Sequence, residues 1–338
     1  MLPQTLNLQI LQASVTWKQY AELPTKLSRG NTTVINGNIY FGGGVTAVGS
    51  DLYTVYCYDP SQHKLTTPPQ LPVQRFGVGQ VNGGKQKRGG IRTNEVYTCD
   101  EQSQKWKQTI PPMPTARLSP GILSLQSALV VAGVATPSGD YTDTVKIFKP
   151  DTSQWYKTDP LPTGCFDVSL VAIGNTCYAL GGFKFPSHLN QALYASIDDL
   201  LCNAVPANQT THSGSNDTQS AWKILPNTPT YRPAAAVLAG NLLAIGGQER
   251  SKGGADKKKV YVYSPSTNSW VYISDLPAPR SCTIVAVLPS TEILVIGGYD
   301  GGLVNTHGVQ GYHTSQAMNT IVLLLFLYNV RLDHDNCP

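Results

Sequence analysis

LLAIGGQERSKGGADKKKVYVYSPSTNSWVYISDLPAPRSCTIVAVLPSTEILVIGG, residues 242–298, holds one full period of a pattern that runs along most of the 338-residue chain. An apolar run ends in Gly246-Gly247, Tyr263 stands seven residues before Trp270, Leu276-Pro277 follows, Arg280 lies three residues past that proline, and a second apolar run ends in Gly297-Gly298. Working outward, the glycine-ended run recurs as NIYFGG (Gly42, Gly43), LVVAG (Gly133) and CYALGG (Gly181, Gly182), and from Gly133 onward the last glycines step by 49, 65 and 51 residues. The seven-residue pair recurs as Tyr58 to Leu65, Cys99 to Trp106 and Phe148 to Trp155, and Trp17 and Trp222 hold the same place in their copies. Proline steps follow at Leu23-Pro24, Leu71-Pro72, Met113-Pro114, Leu161-Pro162 and Thr228-Pro229. Beyond them come Arg75, Arg117 and Arg232 at three residues and Arg29 at five, with Cys165 in the fourth copy. A pattern at a fixed period marks stacked structural units.

Each mark has a physical reason. The apolar runs have the length and the β-branched and aromatic content of buried strands. Glycine at their ends permits positive φ and lets a second backbone come close. The tryptophans are large enough to fill space between neighbouring sheets, and proline suits an outer strand that needs no ladder donor. Four strands in about 50 residues make a sheet with two apolar faces, which is stable only when copies pack against one another in a ring.

The order of these marks resembles the Kelch motif, and the resemblance covers roughly residues 14 to 300. It implies an all-β, six-bladed Kelch-type propeller over 14–330, between tails at 1–13 and 331–338, with blades at about 29–70, 75–112, 117–160, 164–227, 232–275 and 280–330. Residues 14–24 supply an orphan outer strand that closes the sixth blade. The second blade is shortened, because RFGVGQVNGGKQKRGG (75–90) lacks an apolar run between Asn82 and Gly83. Cys202 to Ser220 is a polar insertion in the fourth copy, expected to be disordered. TIVLLLFLYNV (320–330) is too short for a membrane helix and reads as the third strand of the last blade.

Composition agrees with many short strands and turns. Gly 31 and Pro 24 make about a sixth of the chain, and only 14% of residues are charged. Seven cysteines without CxxC spacing form neither a disulfide framework nor a zinc site. The amino terminus has no secretory pattern, which leads us to expect a cytoplasmic protein. A net charge of +4 without a basic, aromatic-interleaved stripe speaks against nucleic acid. GQVNGGK (79–85) mimics a phosphate loop but continues with Gln86 where Ser or Thr must hold magnesium. The six histidines show no metal-ligand spacing, no GxSxG or HExxH occurs, and Asp198-Asp199 reads as a turn. We therefore expect no catalytic residues, no metal and no cofactor.

The candidate site is the set of loops carrying Arg29, Arg75, Arg117, Arg232 and Arg280. By the resemblance these loops share one face, where guanidinium forks suit the carboxylates of an acidic peptide. The other reading makes the same arginines structural ties between blades. The expected function is a monomeric, non-enzymatic module that binds a protein or peptide. Two alternatives stay open: a propeller enzyme acting on a sugar or small metabolite, and a membrane-anchored or extracellular binding domain.

Overall fold

Every glycine-ended apolar run that the structure describes forms the second strand of a small antiparallel sheet, flanked on one side by a first strand and on the other by the aromatic third. The computed structural model describes residues 15–25, 27–28, 30–35, 37–42, 45–46, 54–68, 94, 96, 98–100, 105–108, 110–116, 119–125, 128–135, 141–208, 220–251, 254–288, 292–299 and 320–326. The first sheet orders Asn31–Ile35, Asn38–Gly42, Val55–Asp59 and Lys64–Thr66. Of the second, the described strands are Thr98–Asp100 and Lys105–Lys107. The third runs Gly121–Ser124, Leu129–Ala135, Tyr141–Lys149, Gln154–Thr158; the fourth Phe166–Ile173, Thr176–Lys184, Ala192–Ser196, Lys223–Leu225; the fifth Ala234–Leu238, Asn241–Ile245, Lys259–Ser264, Ser269–Asp275. The last sheet joins Ile284–Val287, Glu292–Ile296 and Thr320–Phe326 to Val15–Glu22 from the opposite end of the chain. There Val15 lies opposite Phe326 and Glu22 opposite Thr320.

The first strands of the third, fourth, fifth, last and first sheets touch one another in that succession, so the sheets are arrayed radially as in a β-propeller. The missing apolar run of the second copy and both tails lie outside the described residues.

The core is a series of layers between successive sheets rather than one central mass. Because side chains alternate along a strand, each second strand feeds two layers. Leu243 and Ile245 join Ile293 and Val295 of the last sheet, whereas Leu242 and Ala244 join Leu180 of the fourth. Leu294 and Ile296 turn the other way, onto Ile39 and Phe41 of the first sheet. Both faces of these strands are thus dry, which explains why they read as continuous apolar runs.

The tryptophans hold the outer part of each layer. Trp155, Trp222, Trp270 and Trp17 all pack toward the preceding sheet. Trp155 Nε1 donates to the Pro111 carbonyl at 2.8 Å, Trp222 Nε1 to Asp159 at 3.1 Å and Trp270 Nε1 to Pro226 at 2.8 Å. Each acceptor stands two residues ahead of its Met-Pro, Leu-Pro or Thr-Pro step. The backbone of Trp106 lies in Lys105–Lys107, and its side chain is outside the described residues.

Two expectations about the fourth copy need correction. The start of the polar insertion is ordered: Val205–Pro206 pairs with Tyr156–Lys157 and adds a fifth strand to the third sheet. Thr158 Oγ1 donates to the Leu200 carbonyl at 2.6 Å and Asn203 Nδ2 to Asp159 Oδ2 at 2.6 Å, so local partners fasten what composition alone called loop. Asp198 and Asp199 sit in the first turn of a helix, Ile197–Cys202, rather than in a turn. Ser196 caps it, and two carboxylates suit its amino end.

The glycines earn their place through close approach between sheets. A Cβ on Gly246 (φ 62°) would strike the carbonyl oxygen of Arg280, one on Gly297 (φ 59°) that of Leu27, and one on Gly133 (φ 68°) that of Cys165. Gly240 has φ 75° but nothing within 4 Å of its Cβ position. Gly240→Ala is therefore expected to cost about 1 kcal/mol, the strain of a left-handed residue alone. Gly246→Ala should cost about 3 kcal/mol, because a neighbouring carbonyl must also move. Equal shifts of the two urea midpoints would show that the sheets have slack at this junction.

Candidate functional site

Leading into the first strands of the fourth, fifth, last and first sheets are loops whose residues meet Gly133, Gly181, Gly246 and Gly297 of the sheet before. Arg280, 1% exposed, donates from Nη1 to the Gly297 carbonyl at 2.7 Å. In the fifth sheet the equivalent acceptor, the Gly246 carbonyl, takes its bond from Thr230 Oγ1 at 2.6 Å. In the fourth, where Cys165 cannot reach, Gln191 Nε2 donates to the Gly181 carbonyl at 3.1 Å. Three unlike side chains thus satisfy one recurring backbone oxygen. Leu27 holds the corresponding place in the first sheet: Gly298 N donates to its carbonyl at 3.0 Å, just as Gly247 N donates to Arg280 at 2.8 Å.

Arg232 belongs to a different class from Arg280, although both stand three residues past a proline. It lies two residues beyond Thr230, at a backbone position with φ 54°, and Ser119 (45°), Asp167 (55°) and Cys282 (52°) occupy the same position in their sheets. Positive φ is uncommon for residues other than glycine, and its recurrence here turns four side chains toward one place. All four line a cavity of about 220 Å³ between the first strands, together with Thr32 and Thr283. Arg232, 3% exposed, pairs with Asp167 of the neighbouring sheet. Its guanidinium also lies 5.4 Å from the ring centre of Phe183 and 6.0 Å from that of Phe166.

Around this pair the loops build an aromatic cluster. Tyr141 stacks on Phe166 at 5.6 Å, Phe166 meets Phe183 edge-on at 5.1 Å, and Phe183 meets His188 at 4.8 Å. Phe185 continues the cluster at 6.5 Å from Phe183, yet its side chain is 60% exposed. Exposed Lys184 adjoins it, and exposed Arg250 lies on the next sheet's loop, which is joined to this one by the bond from His188 N to the Ser251 carbonyl.

Of the residues singled out by sequence, the structure thus places Arg232 and Arg280 inside the protein, at unlike positions. Arg29, Arg75, Arg117 and Gly43 lie outside the described residues. Thr230, Gln191, Asp167 and Phe185 carried no mark in the repeat. Counting back from the first glycine would have separated the arginines: Arg117 and Cys165 stand 16 residues ahead of Gly133 and Gly181, Arg280 stands 17 ahead of Gly297, but Arg232 only 14 ahead of Gly246. Among the described residues no cluster of His, Cys, Asp and Glu has the makings of a metal site. No described helix is long and apolar enough to cross a membrane.

Asp167→Ala deprives a buried guanidinium of its carboxylate and should cost about 3–5 kcal/mol. Adding Arg232→Met should restore much of that loss, and a urea-unfolding double-mutant cycle measures the coupling. Additive losses would show that the two side chains act independently.

Comparison with known proteins agrees with this geometry. The Kelch motif family matches residues 229–277. Kelch-like protein 25 of Xenopus tropicalis is 27% identical over 279 residues, covering 77% of this chain and 42% of that protein. Kelch-like protein 38 of Homo sapiens is 25% identical over 242 residues, covering 70% and 37%. The chain therefore spans about two fifths of the length of these relatives. Among solved structures, that of YjhT superposes with a TM-score of 0.65 at 14% identity, covering 84% of this chain and 95% of that one.

Proposed function

The chain belongs to the Kelch-repeat family, and from that premise we propose that it is a non-enzymatic propeller module that binds a protein segment on the loop face around Phe185. We take the ring as six blades, the second represented by Thr98–Asp100 and Lys105–Lys107 and the sixth completed by Val15–Glu22. The observation that carries the proposal is Phe185 itself. A phenyl ring 60% exposed, seated on an aromatic cluster rather than standing alone, has the character of an interaction anchor.

Its surroundings give the partner a chemistry. Exposed Lys184, its chain neighbour, and exposed Arg250, on the adjoining loop, favour a segment with an apolar or aromatic anchor and acidic flanks. On this account Arg232 and Arg280 shape the face from within, while Arg29, Arg75 and Arg117 remain candidate contacts. Cys57, Cys165, Cys177, Cys202 and Cys282 are free thiols, which suits the reducing cytoplasm, and we take the propeller to act as a monomer.

The test begins with a displayed library of peptides panned on the purified chain. Peptides that enrich are then titrated against Phe185→Ser and against Ile224→Ser, an outer-strand residue 76% exposed. Phe185→Ser should weaken binding by about tenfold or more, and added salt should weaken it further, while Ile224→Ser leaves it unchanged. Full affinity in Phe185→Ser, or no enrichment at all, would sink the proposal.

A further inference from the structure

The outer strands differ in what they leave open. Lys64–Thr66, Lys105–Lys107 and Lys223–Leu225 are three residues long, and Gln154–Thr158, five long, carries Val205–Pro206 on its outer side. Ser269–Asp275 is seven long, and among the described residues no strand pairs with its outer side. Its ladder is regular from Ser269 to Tyr272, with a one-residue shift at Ile273. An uncovered strand edge presents a row of backbone N–H and C=O groups to any extended chain.

The third sheet shows how such an edge is filled. Val205 lies opposite Lys157, Pro206 opposite Tyr156, and Ala207 N donates to the Trp155 carbonyl at 3.0 Å. Trp270 holds the place of Trp155: it pairs with Tyr263 as Trp155 does with Phe148, and each indole donates to a proline carbonyl 44 residues back. Val271 and Tyr272 therefore stand where Tyr156 and Lys157 receive the added strand. Tyr272 is 42% exposed, with the Tyr261 ring at 6.1 Å and the Lys259 ammonium 4.5 Å from its ring centre. Lys258 and Lys259 each reach Asp275 at 3.0 Å while remaining 50% and 42% exposed, so two cations share one carboxylate.

We propose that the outer edge of Ser269–Asp275 docks an extended segment of a partner protein as a fifth, antiparallel strand. The segment sets an apolar side chain opposite Tyr272 and donates a backbone N–H to the Trp270 carbonyl. It carries an acidic residue on the amino-terminal side of that apolar one, where antiparallel pairing brings the carboxylate to Lys258 and Lys259. Main-chain pairing supplies affinity, and the two side chains choose the sequence. This edge is a second surface and does not rest on the loop-face reading.

The test pans a displayed library of heptapeptides on the intact chain and titrates each enriched peptide against Phe185→Ser and Tyr272→Ser. At least one class should bind Phe185→Ser at full affinity and Tyr272→Ser about tenfold or more weakly. The same class should lose affinity to Lys258→Glu combined with Lys259→Glu. Synthetic copies of such a peptide, N-methylated on one alternate set of residues, should lose binding, whereas copies methylated on the other set keep it, because only every second N–H of an added strand faces the sheet. The methylated copies are read on the unaltered chain, so they decide the matter even if a substitution unfolds it. The absence of any peptide that needs Tyr272 would overturn the proposal, as would equal binding of the two methylated sets. A chain that sediments as a dimer, and as a monomer once Tyr272→Ser is made, would give the edge to a second copy and overturn it too. Peptides that depend on Phe185 alone bear on the loop face and not on this edge.

Discussion

Where Gly246 passes the carbonyl of Arg280, and Gly297 that of Leu27, two backbones lie closer than any side chain allows. The same contact joins Gly133 to Cys165, and Gly181 meets the Cα of Arg232 in a related way. These contacts bind the inner part of one sheet to the loop of the next, where the radius of the ring is smallest. On the outer strands the spacing is set by tryptophan, the largest side chain, whose indole donates to a carbonyl of the preceding sheet. No side chain inside and the bulkiest outside make each sheet a wedge. Successive wedges can only fan around an axis, and the cavity lined by the first strands follows from that taper.

Much of this was legible because it rests on residue types with no substitute. Only glycine admits the close approach, and the repeated Trp, Pro and apolar runs mark strands whose two faces are both covered. The expectation that 320–330 supplies a strand agrees with Thr320–Phe326, which pairs with both Glu292–Ile296 and Val15–Glu22. What sequence hid was the equivalence of positions. The fifth copy is two residues shorter between its proline and its first glycine than the spacing at Arg117 or Cys165, so Arg232 falls into line with Arg280 when counted from one side and with Cys282 from the other. The Gly-carbonyl contact was invisible for a similar reason: Arg280, Thr230 and Gln191 perform one task with three chemistries, so no residue type repeats.

The same logic applies to the loop face. Asp167 and Arg232 meet because consecutive sheets place corresponding residues side by side, although 65 positions separate them in the chain. That pair, with Phe166 and Phe183 around the guanidinium, forms a firm floor beneath Phe185. In the proposed function, an anchor raised on such a floor loses little side-chain freedom when it meets a partner, which favours affinity without a large contact area.

The pairing of Val15–Glu22 with Thr320–Phe326 sets a timetable for biosynthesis. The first strand leaves the ribosome before any other part of the fold, yet its partner is among the last to appear. At ordinary elongation rates the interval is roughly 15–60 s, during which the earlier strand has no edge to join. Closure of the ring therefore waits on the last sheet, and the newborn protein spends that interval with one sheet's edge open to any strand that arrives first.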